Sequence, residues 1–287
     1  MPSEVTRPTK APHVSFSQVQ LAAQCGEAYR RKYVENDVVV NENLPGMAGS
    51  AFHKAVERWE TGFFRDERLR SPDFDWQTQV EMLTIMTKKV LLTKVEEFDE
   101  LYPDKEITHY GGQDLHHWQT EKIEGLAQTY LDYRQLEMER GWDWFGDEPS
   151  DMLEVEVRTE VGGYPFLAYV DMIYRDSKDR LALRDLKTGE TKSFHTMQLE
   201  QYRLAVSRAL GIEADYGQLL YVKRSKPYLQ VVKWELGDAD IDEMSRRLRA
   251  NMEGNTLMVN GPFTGHCTVC EYRPSCPWGD VTPHGSS

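Results

Sequence analysis

Tyr169-Val170-Asp171, followed on the next strand by Arg184-Asp185-Leu186-Lys187-Thr188-Gly189, decides how this 287-residue chain is read. Side chains along a strand repeat every two residues, so Asp185 and Lys187 share a face. Asp171 belongs to the adjoining strand of the same antiparallel pair, within a few ångströms of Asp185. Two carboxylates converging beside a lysine are costly to bury unless a divalent cation neutralises them. Such a cation activates water and stabilises charge building on a phosphate oxygen. Lys187 is then placed to orient that water or to stabilise the pentavalent transition state. An Asp-x-Lys tripeptide by itself describes a surface ion pair equally well. Here it closes a strand that Thr188-Gly189 terminates, and a helix follows, which favours a site.

Around this segment, residues 151–235 alternate as strands do. Leu153, Val155, Val157, Thr159 and Val161 are interleaved with charged residues, Gly162-Gly163 makes a hairpin turn, and residues 166–174 return. Residues 181–186 form the next strand, 197–210 a helix, and 218–222 and 229–234 further strands. The order predicts an α/β core with a mixed sheet flanked by helices. Residues 15–150 look helical, with helices over 15–35, 49–65, 76–101 and 121–140 and a loop over 102–117. In the last helix Ile123, Leu126, Ala127, Tyr130, Leu131 and Tyr133 recur at helical spacing. Residues 1–14 read as a flexible N-terminus, and 236–287 as a helix, 238–253, followed by a cysteine-bearing tail. The three zones are expected to form one integrated domain.

Hydrophobic residues at 40% and aromatics at 11% supply enough apolar surface for a core, which excludes a disordered chain or a disulfide-stapled miniprotein. No apolar run approaches the ~18 residues of a membrane helix. The first thirteen residues carry three prolines and no signal-peptide core. A soluble cytoplasmic protein, of a bacterial, archaeal or phage-infected cell, is the expectation. The net charge of −13 argues against broad adhesion to DNA or acidic lipid, although carboxylates that hold metals add to the negative count.

Asp171, Asp185-Leu186-Lys187-Thr188-Gly189 and Gln198-Leu199-Glu200-Gln201-Tyr202 stand in the order of three motifs, GxxD, DxKTG and QxxxY. Upstream, Gly49-Ser50-Ala51-Phe52-His53 matches a GxxxH helix, and 15–35 matches an opening helix with a cysteine and a tyrosine, here Cys25 and Tyr29. Scattered over nearly the whole chain, this set resembles the RecB-like branch of the PD-(D/E)XK nucleases. The resemblance implies a restriction-endonuclease-like core and a metal site of His53, Asp171, Asp185 and the Leu186 backbone carbonyl, holding Mn²⁺ or Mg²⁺. Lys187 would assist the attacking water. Gln198 and Tyr202, at i and i+4, share one helical face. They either lie beside the lysine or the DNA backbone, as the resemblance implies, or form the polar edge of an amphipathic helix. Departures from the family pattern include Gly26 rather than proline after Cys25 and Arg184 rather than an apolar residue before Asp185.

The four cysteines are Cys25, Cys267, Cys270 and Cys276. In a reducing compartment such a set binds metal more readily than it forms disulfides. Four thiolates suit structural zinc, with His266 as a further ligand, or an iron–sulfur cluster. A distant N-terminal cysteine plus a C-terminal triplet of this spacing is similar to the iron–sulfur subset of the RecB-like nucleases, which includes the CRISPR-associated Cas-four exonucleases and the AddB nuclease domain. That likeness implies a [4Fe-4S] cluster pinning the tail to the first helix and closing a channel over the sheet. Arg30, Arg31 and Lys32, with Lys223, Arg224 and Lys226, are candidate phosphate contacts or plain surface charge.

The expected activity is a divalent-metal-dependent exonuclease acting on single-stranded DNA ends in recombination, repair, phage or CRISPR-type processing. The rival is an iron–sulfur DNA-end-binding adaptor with weak or no nuclease activity. No G-x-x-x-x-G-K-[ST] helicase motif is present, so a helicase, recombination or CRISPR-adaptation protein would be a separate partner, and an oligomer is possible.

Overall fold

A computed structural model describes residues 13–37, 42–66, 75–109, 113–189, 194–223, 226–253, 267 and 270–277. The helical zone opens with α1 (Phe16–Gln24) and α2 (Gly26–Tyr29), the latter running on as a π turn, Arg30–Val34. The single helix expected over 15–35 is thus broken. Cys25 is extended, at φ −161° and ψ 113°, and the break turns it inward, where it is buried.

Helix α3 (Leu44–Arg65) starts five residues earlier than the periodicity predicts, because Asn43 accepts from the Gly46 N–H and Pro45 fits the first turn. Helix α4 (Trp76–Leu101) has the predicted bounds, capped by Asp75, which accepts from Gln77 and Thr78. A short turn, Leu115–His117, and a π turn, Trp118–Lys122, lead into α5 (Ile123–Glu139).

The sheet has six strands: β1 (Asp143–Trp144), β2 (Leu153–Val161), β3 (Tyr164–Arg175), β4 (Leu181–Lys187), β5 (Tyr216–Tyr221) and β6 (Tyr228–Val232). Its order is β1-β3-β4-β5-β6, with β2 pairing β3 on the side that β1 extends. The β4–β5 pair is parallel and the others are antiparallel, so the sheet is mixed as the sequence implies. Gly162 and Gly163, at φ +63° and +82°, make the hairpin that sets the β2–β3 register. The crossover between β4 and β5 is α6 (Phe194–Leu210), and α7 (Asp238–Glu253) follows β6.

One hydrophobic cluster runs from Val14 through α3, α4, α5 and the sheet to Ile241, so the helical and sheet zones share a core. A second, smaller cluster joins Cys25 and Ala28 to Tyr272, with Cys270 packed against it. No described helix is long and apolar enough to cross a membrane.

Candidate active site

The strand registers set the site. The pairs Leu153–Met172 and Val155–Val170 flank Glu154 and Asp171, which therefore face each other across β2 and β3. On the other side of β3 the last pair is Met172–Arg184, and one further step brings Asp171 opposite Asp185. Glu154, Asp171 and Asp185 thus form a row across three strands, with neighbouring strands ~4.8 Å apart. Beside the row stands His53 of α3, its Nδ1 3.4 Å from Asp171 Oδ2.

Each group is held by its neighbours. The Leu186 N–H donates to Asp171 Oδ2 at 2.7 Å. The Leu186 main chain also favours the protonated His53 ring, against the burial that lowers it. Lys187 Nζ lies 2.5 Å from Asp185 Oδ2 and donates to Gln198 Oε1 at 3.0 Å, and Gln198 Nε2 donates to Tyr202 Oη at 2.8 Å. The helical face of Gln198 and Tyr202 is therefore turned to the lysine, not spent as a polar edge.

Burial dominates the electrostatics. It pushes Asp171 up to about 6, against the Leu186 N–H and Lys187. Burial and then the Asp171 charge push Asp185 up to about 6 and Glu154 up to about 7. Burial lowers His53, leaving a neutral imidazole, the form that ligates metal. Burial and then the Asp185 charge keep the Tyr202 phenol protonated.

His53, Glu154 and Asp171 each offer a ligand atom, and these atoms lie within 4.8 Å of one another. One neutral imidazole and clustered carboxylates suit Mn²⁺ or Mg²⁺, so the donor set fits the expected ion. Glu154 is the site residue that motif matching misses. The alternation over 153–161 assigns it to the solvent face, yet the Gly162-Gly163 hairpin already contains its position: pairing Val161 with Tyr164 places Glu154 opposite Asp171. Glu154 also has φ +48°, a left-handed conformation costing about 1–3 kcal/mol for such a residue.

The chain matches the family model described as "PD-(D/E)XK nuclease superfamily" over residues 13–277. It belongs to the PD-(D/E)XK nuclease superfamily. A solved structure titled "Crystal structure of SSO0001" is similar, 18% identical, covering 66% of this chain and 82% of that one, with a TM-score of 0.37. No curated protein matches the chain. The PD-(D/E)XK assignment accounts for the mixed sheet with flanking helices and marks the chain as a metal-dependent nuclease.

The unusual Arg184 of this nuclease is fully buried and faces away from the carboxylate row. It bonds Glu137 of α5 through both terminal nitrogens and Gln218 of β5 through Nε at 3.0 Å. Glu137 also accepts from Arg134, which in turn bonds Glu60 of α3 at 2.7 Å. Two arginines and two glutamates cancel inside the core, which is how a cation is tolerated beside Asp185.

The remaining predicted residues are distributed as follows. Cys25, Cys270 and Tyr272 pack together, and burial and then the Cys25 charge raise Cys267. Arg30 pairs with Glu27 and Glu35, Arg31 with Glu27 and Ser275, and Lys32 with Glu271, so these three cations neutralise carboxylates or tie down the tail. Lys223 and Lys226 are exposed beyond β5. Arg224 and His266 lie outside the described residues.

Proposed function

We propose that this chain is a divalent-cation-dependent deoxyribonuclease that removes nucleotides from single-stranded DNA ends. The observation that carries it is the row Glu154–Asp171–Asp185 with His53 on one flank and Lys187 on the other. His53, Glu154, Asp171, Asp185 and the Leu186 carbonyl are the groups that would hold Mn²⁺ or Mg²⁺. When bound, the cation neutralises the carboxylates, polarises the scissile phosphate and lowers the pKa of a water. Lys187, anchored between Asp185 and Gln198, presents an N–H to that water or to a phosphate oxygen. Tyr202, kept protonated, orients Gln198 and through it the lysine. Leu186 fixes the Asp171 carboxylate so that it need not reorient during the reaction.

The single-strand and exonuclease preferences rest on the likeness to the Cas-four exonucleases. The same likeness supports a structural [4Fe-4S] cluster on Cys25, Cys267, Cys270 and Cys276. In support of that reading, Cys25 of the first helices and Cys270 of the tail pack into one small cluster with Tyr272.

Digestion of end-labelled single-stranded DNA under anaerobic conditions, with Mn²⁺, Mg²⁺ or EDTA, tests the activity. Wild type is expected to cut with the cations alone, and Lys187→Ala to lose roughly 10²–10⁴-fold. Equal cutting by both proteins sinks the lysine assignment. A folded, brown wild type that binds DNA ends without cutting establishes the adaptor reading instead.

A further inference from the structure

The face of β3 that carries Asp171 continues away from the site. Along the strand Pro165 is exposed, Leu167 half-buried, Tyr169 exposed and Asp171 half-buried, whereas Phe166, Ala168, Val170 and Met172 are buried. Tyr169 therefore stands on the catalytic face, two residues from Asp171 and ~6.7 Å along the strand. It is 46% exposed, a large aromatic ring left open beside a buried charged site.

The ring is held from one end. Tyr169 Oη donates to Glu156 Oε2 at 2.8 Å, and Glu156 in turn accepts from Arg158 Nε at 2.6 Å. Glu156 is the register partner of Tyr169, so the hydroxyl is fixed across the strand pair while the ring stays uncovered. Past Met172–Arg184, β4 makes no further pair with β3, which leaves the side of Tyr169 toward Lys187 unpaired by backbone. Glu154 and Glu156 also line a cleft of about 810 Å³ with Glu57, Asp147 and Asp151. That acidic cleft repels phosphates. A DNA strand crossing this face would turn its backbone toward Lys187 and its uncharged bases toward Tyr169.

We propose that Tyr169 is a stacking platform for the base next to the scissile phosphate, so that the site takes unpaired rather than paired DNA. The inference rests on the nuclease reading and names the substrate feature that the site recognises. A base inside a duplex has both faces covered by its neighbours, and an unpaired base at a strand end is free to swing out and lay a face on the tyrosine. Stacking of this kind is sequence-tolerant, and each stacked base contributes roughly ten- to a hundredfold in affinity.

The test uses the full-length protein with oligonucleotides carrying 2-aminopurine or an abasic nucleotide at successive positions from the end. Binding is measured with Mn²⁺ in the Lys187→Ala background, where the DNA is expected to stay intact. Quenching of 2-aminopurine at one position is expected, with loss of the quench and at least about tenfold weaker single-strand binding when Tyr169→Ala is added. Tyr169→Trp is expected to keep both. An abasic nucleotide at the quenched position should weaken binding by the protein with Tyr169 and leave the Tyr169→Ala form unaffected. In the wild-type background Tyr169→Ala should raise KM with kcat retained. Unchanged quenching and affinity, or an equal loss on duplex and single strand, overturns the proposal. Continued cutting by Lys187→Ala counts against the lysine assignment, failure of the wild type to cut counts against the nuclease reading, and in either case the quenching still decides Tyr169.

Discussion

Asp171 is the residue through which the others meet: it accepts from Leu186, faces Glu154 and Asp185 on either side, and is approached by His53. Its charge is one reason why both neighbouring carboxylates are held protonated to higher pH than usual. Removing one carboxylate from the row relieves repulsion while taking away a donor. Glu154→Gln is therefore expected to leave the thermal stability of the metal-free protein unchanged or raised. The Mn²⁺-induced rise in Tm should shrink, with affinity in calorimetry falling at least about tenfold. Unchanged Mn²⁺ affinity would remove Glu154 from the site. Asp171, Asp185 and Lys187 are legible because motif spacing and strand parity both point to them, and His53 through the GxxxH spacing alone. Glu154 is not, since its neighbours alternate apolar and charged as an ordinary half-buried strand does, and a charged residue on the open face draws no notice. Only the register carried through the hairpin reveals it.

The elements carrying these residues are set at fixed distances by two contacts that act in opposite ways. Helix α3 meets the end of β4 closely at Gly49, where an added Cβ would lie 2.7 Å from Thr188 Oγ1. Gly49→Ala is expected to cost about 1–3 kcal/mol by overpacking and to shift His53, four residues on, away from Asp171. Adding Thr188→Ala removes the opposing oxygen, so the double variant should recover both stability and cutting; a double variant as impaired as the single one refutes this cause. On the far face, the buried Glu60–Arg134–Glu137–Arg184 chain joins α3, α5 and β4. Burial raises the Glu137 pKa, yet Arg184 and Arg134 outweigh it and hold the carboxyl below its ordinary 4.5. A depressed carboxyl contributes stability that is complete above about pH 4.5 and disappears as pH falls through the folded-state value. Glu137→Gln should accordingly cost about 3–5 kcal/mol at neutral pH and flatten the acid limb of Tm against pH. An acid limb identical to wild type would show that the pair does not titrate in this way. Sequence periodicity recovered most of these elements. It missed the break at Cys25 and the early start of α3, because backbone dihedral and capping geometry decide those, not apolar spacing.

Across the whole molecule, the described residues 270–277 sit against α1 and α2, which lie far from them in sequence. The polar links between them are modest. Lys32–Glu271 is a partly exposed pair worth ~0–1 kcal/mol, and Arg31 bonds the Ser275 side chain and carbonyl at 2.8 and 3.0 Å. Tyr272 adds a buried ring and donates to the Asp37 carbonyl at 2.7 Å. The proposed metal bridge from Cys25 to Cys267 would close a loop of about 240 residues, and the entropy it would remove from the unfolded chain is worth about 5 kcal/mol, more than any single polar link. If that bridge is an iron–sulfur cluster ligated by all four thiols, Cys25→Ser and Cys276→Ser should lose iron, visible absorbance and Tm together and to a similar extent. His53 and the carboxylate row lie on α3 and the sheet, within the other core, so cutting at 20 °C should outlast the colour. A colourless wild type with stoichiometric zinc would reassign the metal while leaving the bridge intact. Cysteine variants that kept the Tm of wild type would show that the tail is held by Tyr272 and its neighbours, without help from the thiols.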